Sequence, residues 1–315
     1  MTDVLAAVQF QANWWQVLQT TFMQHALVAG TMVAVTAGLM GWFVITRQNA
    51  FAAHALAHIG FPGATGAILV GVPVTLGLAV FCVGGGLLIG LFGNRVAERE
   101  IATGTILALS TGLGVLFASL ATANASSTTA VLFGNLLAVT VDQLVVFGVF
   151  TALVVLTLAV IARPLVFASV DPAVAEARGV PVRALGVAFV VLLALTITMA
   201  VQVVGTLLLF ALVVTPAAAA LRLSARPGRV AALAVGFALL SVWLGLVLSA
   251  VVDLPPSFFV VAIAALIWLV SLATTRDRHR LATPRTPLSA AADGAGAPAG
   301  PATDGDGVLV GDGTR

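Results

Sequence analysis

Two histidines, His54 and His58, stand four residues apart in a stretch of sequence that is otherwise almost free of titratable side chains. Four residues are about one turn of an α-helix, so both imidazoles would lie on one face of the helix. Imidazole nitrogens are good ligands for first-row transition metals. The type and spacing of these residues therefore indicate a site for a divalent metal ion.

The segment that carries the pair, FAAHALAHIGFPGATGAILVG at residues 51–71, is apolar enough to cross a membrane. At the helical rise, His58 lies about 16 Å from Arg47, near the middle of a hydrocarbon core about 30 Å thick. Ionisable groups at that depth are costly, which makes them candidates for a functional site. The alternative is that both imidazoles are neutral and hydrogen-bonded to neighbouring helices. We favour the metal site, and we interpret His25 as an interfacial residue.

Pro62 follows His58 by four residues and lacks the N–H that would have bonded to the His58 carbonyl. We predict a helix break at Pro62 and Gly63 beside the ion path, with the freed carbonyl available as an oxygen ligand. Two imidazoles do not complete a site, because zinc normally takes four ligands. Water, the His58 carbonyl or groups on another subunit remain open as sources of the others.

The composition predicts an all-α fold, a polytopic transmembrane helical bundle. The chain has 315 residues, of which 60% are hydrophobic and 8% charged, and its apolar runs are as long as a bilayer is thick. A soluble domain would need more polar surface, and a transmembrane barrel would show short alternating segments. We expect about nine spans, over residues 22–46, 50–71, 73–93, 101–121, 141–162, 184–202, 204–221, 230–252 and 257–274.

Arginine falls in alternate connections between these spans. The basic connections hold Arg47, then Arg95 and Arg99, then Arg163, Arg178 and Arg183, then Arg222, Arg226 and Arg229, then Arg276, Arg278 and Arg280. Basic residues favour the cytoplasmic side. We therefore predict a multi-pass membrane protein, with its amino terminus outside and its carboxyl terminus in the cytoplasm.

All fourteen Lys and Arg residues of the chain are Arg. Because a phosphate-binding P-loop requires a Lys, the chain cannot form one by itself. The basic residues report membrane topology, so we expect no binding to nucleic acid. The single Cys82 excludes an intrachain disulfide.

Three parts of the chain are expected outside the regular spans. Residues 1–21, with Trp14 and Trp15, would form an outer interfacial segment before the transmembrane domain of residues 22–275. Residues 122–140 would form an outward loop with a short half-inserted or interfacial helix containing Phe133, Gly134 and Asn135. Residues 276–315 would form a disordered cytoplasmic tail.

The longest inward loop, residues 163–183, contains signals for one short helix. Asp171 can cap it, Pro172 can begin it and Gly179 can end it. Since so short a helix is marginal in water, its stability must come from packing, either on its own bundle or in a groove of a cytoplasmic motor. We favour docking, by Asp171, Pro172, Glu176, Arg178 and Gly179.

Ordered blocks over most of the chain resemble the integral-membrane permease of bacterial ABC transporters for manganese, zinc and iron, the ABC-3 family. The blocks are FMQHALVAG (22–30), AHALAHIGFPG (53–63), LFGNLLAVT (132–140), VDPAVAEARGVPV (170–182) and VVGTLLLFALVVTPAAAA (203–220). In that family, an aspartate and a histidine four residues apart line the ion path. His58 matches the histidine and His54 replaces the aspartate, which shifts the expected cargo from manganese towards zinc.

The resemblance implies a homodimeric importer permease of the bacterial cell membrane that itself catalyses no chemistry and holds no permanent cofactor. It also implies a cytoplasmic ATP-binding subunit docked on the helix from Asp171 to Gly179, and an extracytoplasmic metal-binding protein. Three alternatives remain. A gradient-driven secondary transporter usually needs carboxylates at mid-membrane, an intramembrane metalloprotease needs a Glu where this chain has Ala55, and a permease for a metal chelate such as a siderophore needs a wider path.

Overall fold

The computed structural model describes residues 14–92, 96–121, 131–206, 208–252 and 254–282. These ranges are helical and contain no strand, which confirms the all-α prediction. By its contacts the chain divides into two units, residues 1–275 and 276–315. The helices are α1 (Trp14–Leu18), α2 (Thr21–Thr46), α3 (Ala50–Val70), α4 (Val74–Phe92), α5 (Val96–Leu120), α6 (Val141–Val170), α7 (Pro172–Ala177), α8 (Val182–Val204), α9 (Leu209–Leu223), α10 (Pro227–Val252) and α11 (Pro256–Ala282).

Each of the nine predicted spans corresponds to one helix: α2 to α6 and α8 to α11. Seven of these helices are long and apolar enough to cross a membrane, and two further apolar stretches, Val74–Gly90 and Leu209–Leu223, are shorter. The 15 residues of α9 extend about 22 Å, less than a hydrocarbon core of about 30 Å. The predicted span at 204–221 begins too early, because residues 205 and 206 are not helical and α9 starts at Leu209.

Helix α2 lies at the centre of the bundle, in contact with α6, α8, α9 and α10. Glycines allow its close crossings. A Cβ on Gly38 would lie 2.6 Å from the Cα of Val235 on α10, and one on Gly41 would collide with the carbonyl of Val213 on α9. Small residues let backbones approach closely, and this contact drives helix association where lipid removes the hydrophobic force.

Helix α3 is held in the same way between α4 and α5. Gly63 and Gly77 face each other across the crossing with α4, so a Cβ on either glycine would meet the other's carbonyl. On the α5 side, the Thr65 hydroxyl donates to the carbonyls of Phe61 at 3.1 Å and Gly114 at 3.3 Å. Close contacts on two sides fix the helix that carries both histidines.

The described part of the segment before α6 is residues 131–140, which are too few to cross a membrane. It consists of a helical stretch at 131–133, Gly134 and Asn135 in non-helical backbone, and a 3-10 turn at Leu136–Ala138. The prediction of a short helix containing all of Phe133, Gly134 and Asn135 is thus correct only for Phe133. Gly134 has φ +75°, a left-handed conformation that ends the helix.

Non-helical backbone in this segment is paired with the break between α8 and α9. The Asn135 N–H donates to the Gln202 carbonyl at 3.1 Å, and the Thr206 N–H donates to the Val131 carbonyl at 3.3 Å. The Ser257 hydroxyl donates to the Phe133 carbonyl at 3.1 Å. Irregular backbone is tolerated at membrane depth when protein groups satisfy it.

Helix α6 is longer than predicted. It starts in a capping box formed by Thr140 and Gln143 and runs for 30 residues to Val170, although the predicted span ends at 162. Its last two turns continue because Leu165 and Ala168 are buried against the bundle. The predicted loop over 163–183 is therefore mostly helical. The predicted disorder of the tail concerns residues that, beyond Ala282, lie outside the described ranges.

We predict that Gly205→Ala destabilises the protein by about 2 kcal/mol or more. Gly205 has φ +91°, and a Cβ there would lie 2.5 Å from the Gly134 nitrogen. The matched control is Gly236→Ala on α10, where nothing lies within 4 Å of the added Cβ. The control should unfold at or slightly above the wild-type temperature in detergent, because alanine favours a helix. Equal unfolding temperatures for the two variants would contradict this account.

Candidate functional site: the histidine pair and the exposed helix

The two histidines face each other on α3, as their spacing predicts. Their ring centroids lie 4.8 Å apart with the planes at 75°, and both side chains are partly buried. Two nitrogen ligands are thus presented side by side on one helical turn. The prediction that they share a face is confirmed by this geometry.

His54 also contacts α9. Its ring packs edge-on against Phe210 at a centroid distance of 5.7 Å, and its Nδ1 is buried without a hydrogen-bond partner. A buried polar atom usually finds a partner, and leaving one unpaired costs about 1–3 kcal/mol. No neighbouring helix forms a hydrogen bond with this nitrogen, contrary to the alternative in which His54 is hydrogen-bonded within the bundle. A bound cation would satisfy the nitrogen instead.

The chain supplies only part of a metal coordination shell. No group of three His, Cys, Asp or Glu side chains that could hold a metal occurs within the described ranges. Cys82 is not a third ligand, since its sulfur lies 3.5 Å from the carbonyl of Leu56, two residues from His54 along the helix and thus on another face. Within the described ranges, the pair therefore leaves coordination positions for water, backbone carbonyls or another chain.

The predicted break at Pro62 and Gly63 is not observed. Helix α3 runs from Ala50 to Val70 with Pro62 inside it, and both residues are buried. Contacts with α5 around Pro62 and with Gly77 beside Gly63 support the helix, which explains how it tolerates the missing hydrogen bond. Gly63 belongs to the crossing with α4, and the covalent structure of Pro62 still leaves the His58 carbonyl without its usual donor.

The short helix of the predicted docking element is α7, Pro172–Ala177. The Asp171 carboxylate accepts a hydrogen bond from the Val174 N–H at 3.0 Å, as an N-cap does. Gly179, with φ +80°, reverses the chain after the helix. The structure thus confirms the cap at Asp171 and the chain reversal at Gly179 that the sequence predicts.

Helix α7 presents nearly all of its side chains to the outside. Only Ala175 is buried, at 0% exposure, while Glu176 and Arg178 are exposed and Val174 is 43% exposed. The base is nevertheless anchored, because α7 packs on α6 and the Val180 N–H donates to the Ala175 carbonyl at 3.0 Å. A helix fixed at its base and bare on its other sides is suited to a partner's groove.

Two features were not anticipated from the sequence. One is Phe210 against His54, which required knowing that α9 crosses α3. The other is a polar cluster: Gln202 Oε1 accepts hydrogen bonds from Thr75 Oγ1 at 2.8 Å and from Gln143 Nε2 at 3.4 Å. Glutamine inside an apolar run was a usable signal for the second.

Comparison with known proteins places the chain among metal-transport permeases. The ABC 3 transport family matches residues 19–275. The manganese transport system membrane protein MntC of Listeria innocua is 29% identical over 255 residues, covering 81% of this chain and 91% of MntC. The manganese import system permease protein ScaB of Streptococcus parasanguinis is 32% identical over 204 residues, covering 64% and 72% of the two chains.

A solved structure shows the same fold. PsaBC from Streptococcus pneumoniae, in complex with Fab, superposes with a TM-score of 0.78 at 27% sequence identity. The match covers 86% of this chain and 99% of that chain. The helical arrangement described above is therefore shared along nearly the whole of that chain.

We predict that His58→Ala lowers the zinc affinity of the purified chain by about tenfold or more, or about 1.4 kcal/mol, because it removes one of two paired ligands. Titration calorimetry with zinc in detergent measures the change. The matched control, His25→Ala, removes a histidine near the start of α2 and should bind zinc as the wild type does. Unchanged affinity in His58→Ala would exclude the pair as the site.

Proposed function

The chain belongs to the ABC 3 transport family, and from this membership we propose that it is the membrane-spanning permease subunit of an ATP-driven importer of divalent transition-metal ions. The observation that carries the proposal is the adjacent imidazole pair, with the Nδ1 of His54 buried and unsatisfied. The metal ion is the cargo. It would exchange hydration water for ring nitrogens at mid-membrane and leave again on the other side.

Two nitrogens from one chain support a weak, reversible site. Conduction needs binding that is favourable enough to admit an ion and weak enough to release it. His54 and His58 are only partly buried, and so is Val214, one turn beyond the exposed Phe210 on α9. We propose that this face meets a second copy of the chain in a homodimer, where two pairs would supply the four ligands that zinc prefers.

The metal is proposed to be zinc or manganese, with iron as a further candidate. The names of MntC and ScaB support manganese. The replacement of a carboxylate by His54 supports zinc, because imidazole suits zinc whereas manganese prefers oxygen ligands. We favour zinc on the chemistry of the two nitrogens.

The energy source is proposed to be a separate cytoplasmic ATP-binding subunit docked on α7. The chain has no Lys for a P-loop of its own, and α7 is exposed on all sides except at Ala175. Since α7 packs on α6 and adjoins α8, a movement imposed on it would pass to two helices that cross the bundle. An extracytoplasmic metal-binding protein would deliver the ion to the opposite side, and the chain itself would catalyse no reaction.

The proposed orientation follows from the arginines. Arg163, Arg178 and Arg183 surround α7 in the sequence, and connections without basic residues alternate with those that carry them. The positive-inside tendency then puts α7 in the cytoplasm, where ATP is available, and the amino terminus outside.

We predict that His58→Ala abolishes metal uptake in cells at unchanged expression, and that His54→Asp shifts selectivity from zinc towards manganese, because an oxygen ligand replaces a nitrogen. Radioactive or mass-spectrometric metal accumulation in a strain lacking the native gene measures both. His25→Ala is the control and should transport normally. Uptake that persists without the ATP-binding subunit would instead support a gradient-driven transporter.

We predict that Val174→Asp and Glu176→Arg release the ATP-binding subunit in a pull-down, because they change apolar contact and charge on the bare face of α7. Both side chains are exposed, so the variants should keep the wild-type unfolding temperature. Ala225→Asp, at an exposed position in another arginine-bearing connection, is the control and should retain the subunit. Retained binding and activity in both α7 variants would disprove docking at this helix.

A further inference from the structure

A cavity of about 580 Å³ lies at the end of the bundle that carries Arg47 and Arg183. Its walls come from the connection between α2 and α3 and from helices α3, α4 and α8. The volume falls within the usual range for small-molecule sites. Because Arg183, Val187 and Gly90 on its rim are exposed, the cavity opens to the surface of the chain.

Two arginines line the cavity, Arg183 on its exposed rim and Arg47 further inside, and most of the remaining wall is apolar. Arg47 and Arg183 both line it, and the Arg47 guanidinium lies 5.1 Å from the ring centroid of Phe189. None of the described lining residues is acidic, and the deeper wall is formed by Leu56, Ile89, Val190 and Leu193. A ligand that fits must therefore combine a negative group with a hydrocarbon portion.

This cavity is not part of the histidine site. It is lined by Ala52 and Leu56 of α3, whereas His54, midway between them in the sequence, contacts α9 on a different face of the same helix. Two guanidinium groups in its wall would also repel a divalent cation. The cavity is therefore separate from the histidine pair, and its chemistry suits an anionic occupant.

We propose that the cavity binds an anionic phospholipid, with the phosphate at Arg47 and Arg183 and an acyl chain against the apolar wall. Basic pockets between transmembrane helices on the cytoplasmic side recognise anionic headgroups through charge and hydrogen bonding. The assignment to the cytoplasmic leaflet rests on the orientation given under the proposed function. The binding itself rests only on the cavity and its residues.

The position of the cavity gives the lipid a structural consequence. Arg183 lies in the first turn of α8, four residues after Gly179, and Val180 between them packs against the buried core. A phosphate held by Arg183 and by Arg47 at the end of α2 would tie the start of α8 to the centre of the bundle. Bound lipid would then restrict movement at the base of α7.

The test is lipid binding by the purified, delipidated full-length chain, measured by native mass spectrometry and by unfolding temperature. The probes are phosphatidylglycerol, phosphatidylcholine with the same acyl chains, and inorganic phosphate alone. Wild-type protein should bind phosphatidylglycerol at least about tenfold more tightly than phosphatidylcholine, because only the former carries net negative charge at the headgroup. Inorganic phosphate should stabilise little, since it cannot fill the apolar part.

Two kinds of variant separate charge from shape. Arg47→Gln with Arg183→Gln should abolish the preference, whereas Arg226→Gln with Arg229→Gln, around the start of α10, should keep it. Gly186→Leu fills the cavity while both arginines remain, and no atom lies within 4 Å of the first carbon it adds. Gly236→Leu adds the same bulk on an open face of α10 and should leave binding unchanged.

Either of two results would overturn the proposal. One is an unchanged phosphatidylglycerol preference in both the arginine pair variant and Gly186→Leu. The other is full stabilisation by inorganic phosphate, which would assign the site to a free anion. Because binding is measured without transport, failure here leaves the importer proposal standing, and failed metal uptake leaves the lipid site standing.

Discussion

The absence of water from the hydrocarbon core is the constraint on which this structure depends. Every backbone N–H and C=O at that depth needs a partner within the protein, which is why the described spans are helical. The exception, the break around Gly205, persists because the segment at Gly134 lies against it and exchanges main-chain hydrogen bonds with its neighbours. The same constraint makes an unpaired imidazole nitrogen at His54 costly, and therefore informative about function.

Close packing by small residues turns a set of apolar helices into one defined arrangement. Glycines at the crossings of α2 with α9 and α10, and of α3 with α4, bring backbones nearly into contact. Lipid is as apolar as leucine, so shape and not hydrophobicity selects these pairings. As a result, the turn that carries His54 and His58 is held on a buried helix while its ligand face stays partly open.

Different tasks occupy different faces of α3 and different ends of the bundle. His54 contacts α9, Gly60 and Gly63 face α4, and Leu56 lines the cavity that Arg47 and Arg183 also line. This separation keeps the guanidinium charge of the arginines away from the two imidazoles. The exposed helix α7 adjoins the same charged end, so a partner's movement and a bound anionic lipid would act on one region, the start of α8.

The sequence by itself determined the helical class, nearly all of the span positions, the shared face of His54 and His58, and the cap and stop of α7, because these follow from hydropathy, helical period and local hydrogen bonds. It could not determine that α3 stays continuous through Pro62, that α6 reaches Val170, or that Phe210 packs on His54. Nor could the contact between Gly134 and Gly205, or the cavity that Arg47 and Arg183 both line, be predicted from the sequence. Only the tertiary structure decided these points, since each depends on contacts between helices distant in sequence, where packing outweighs local preference.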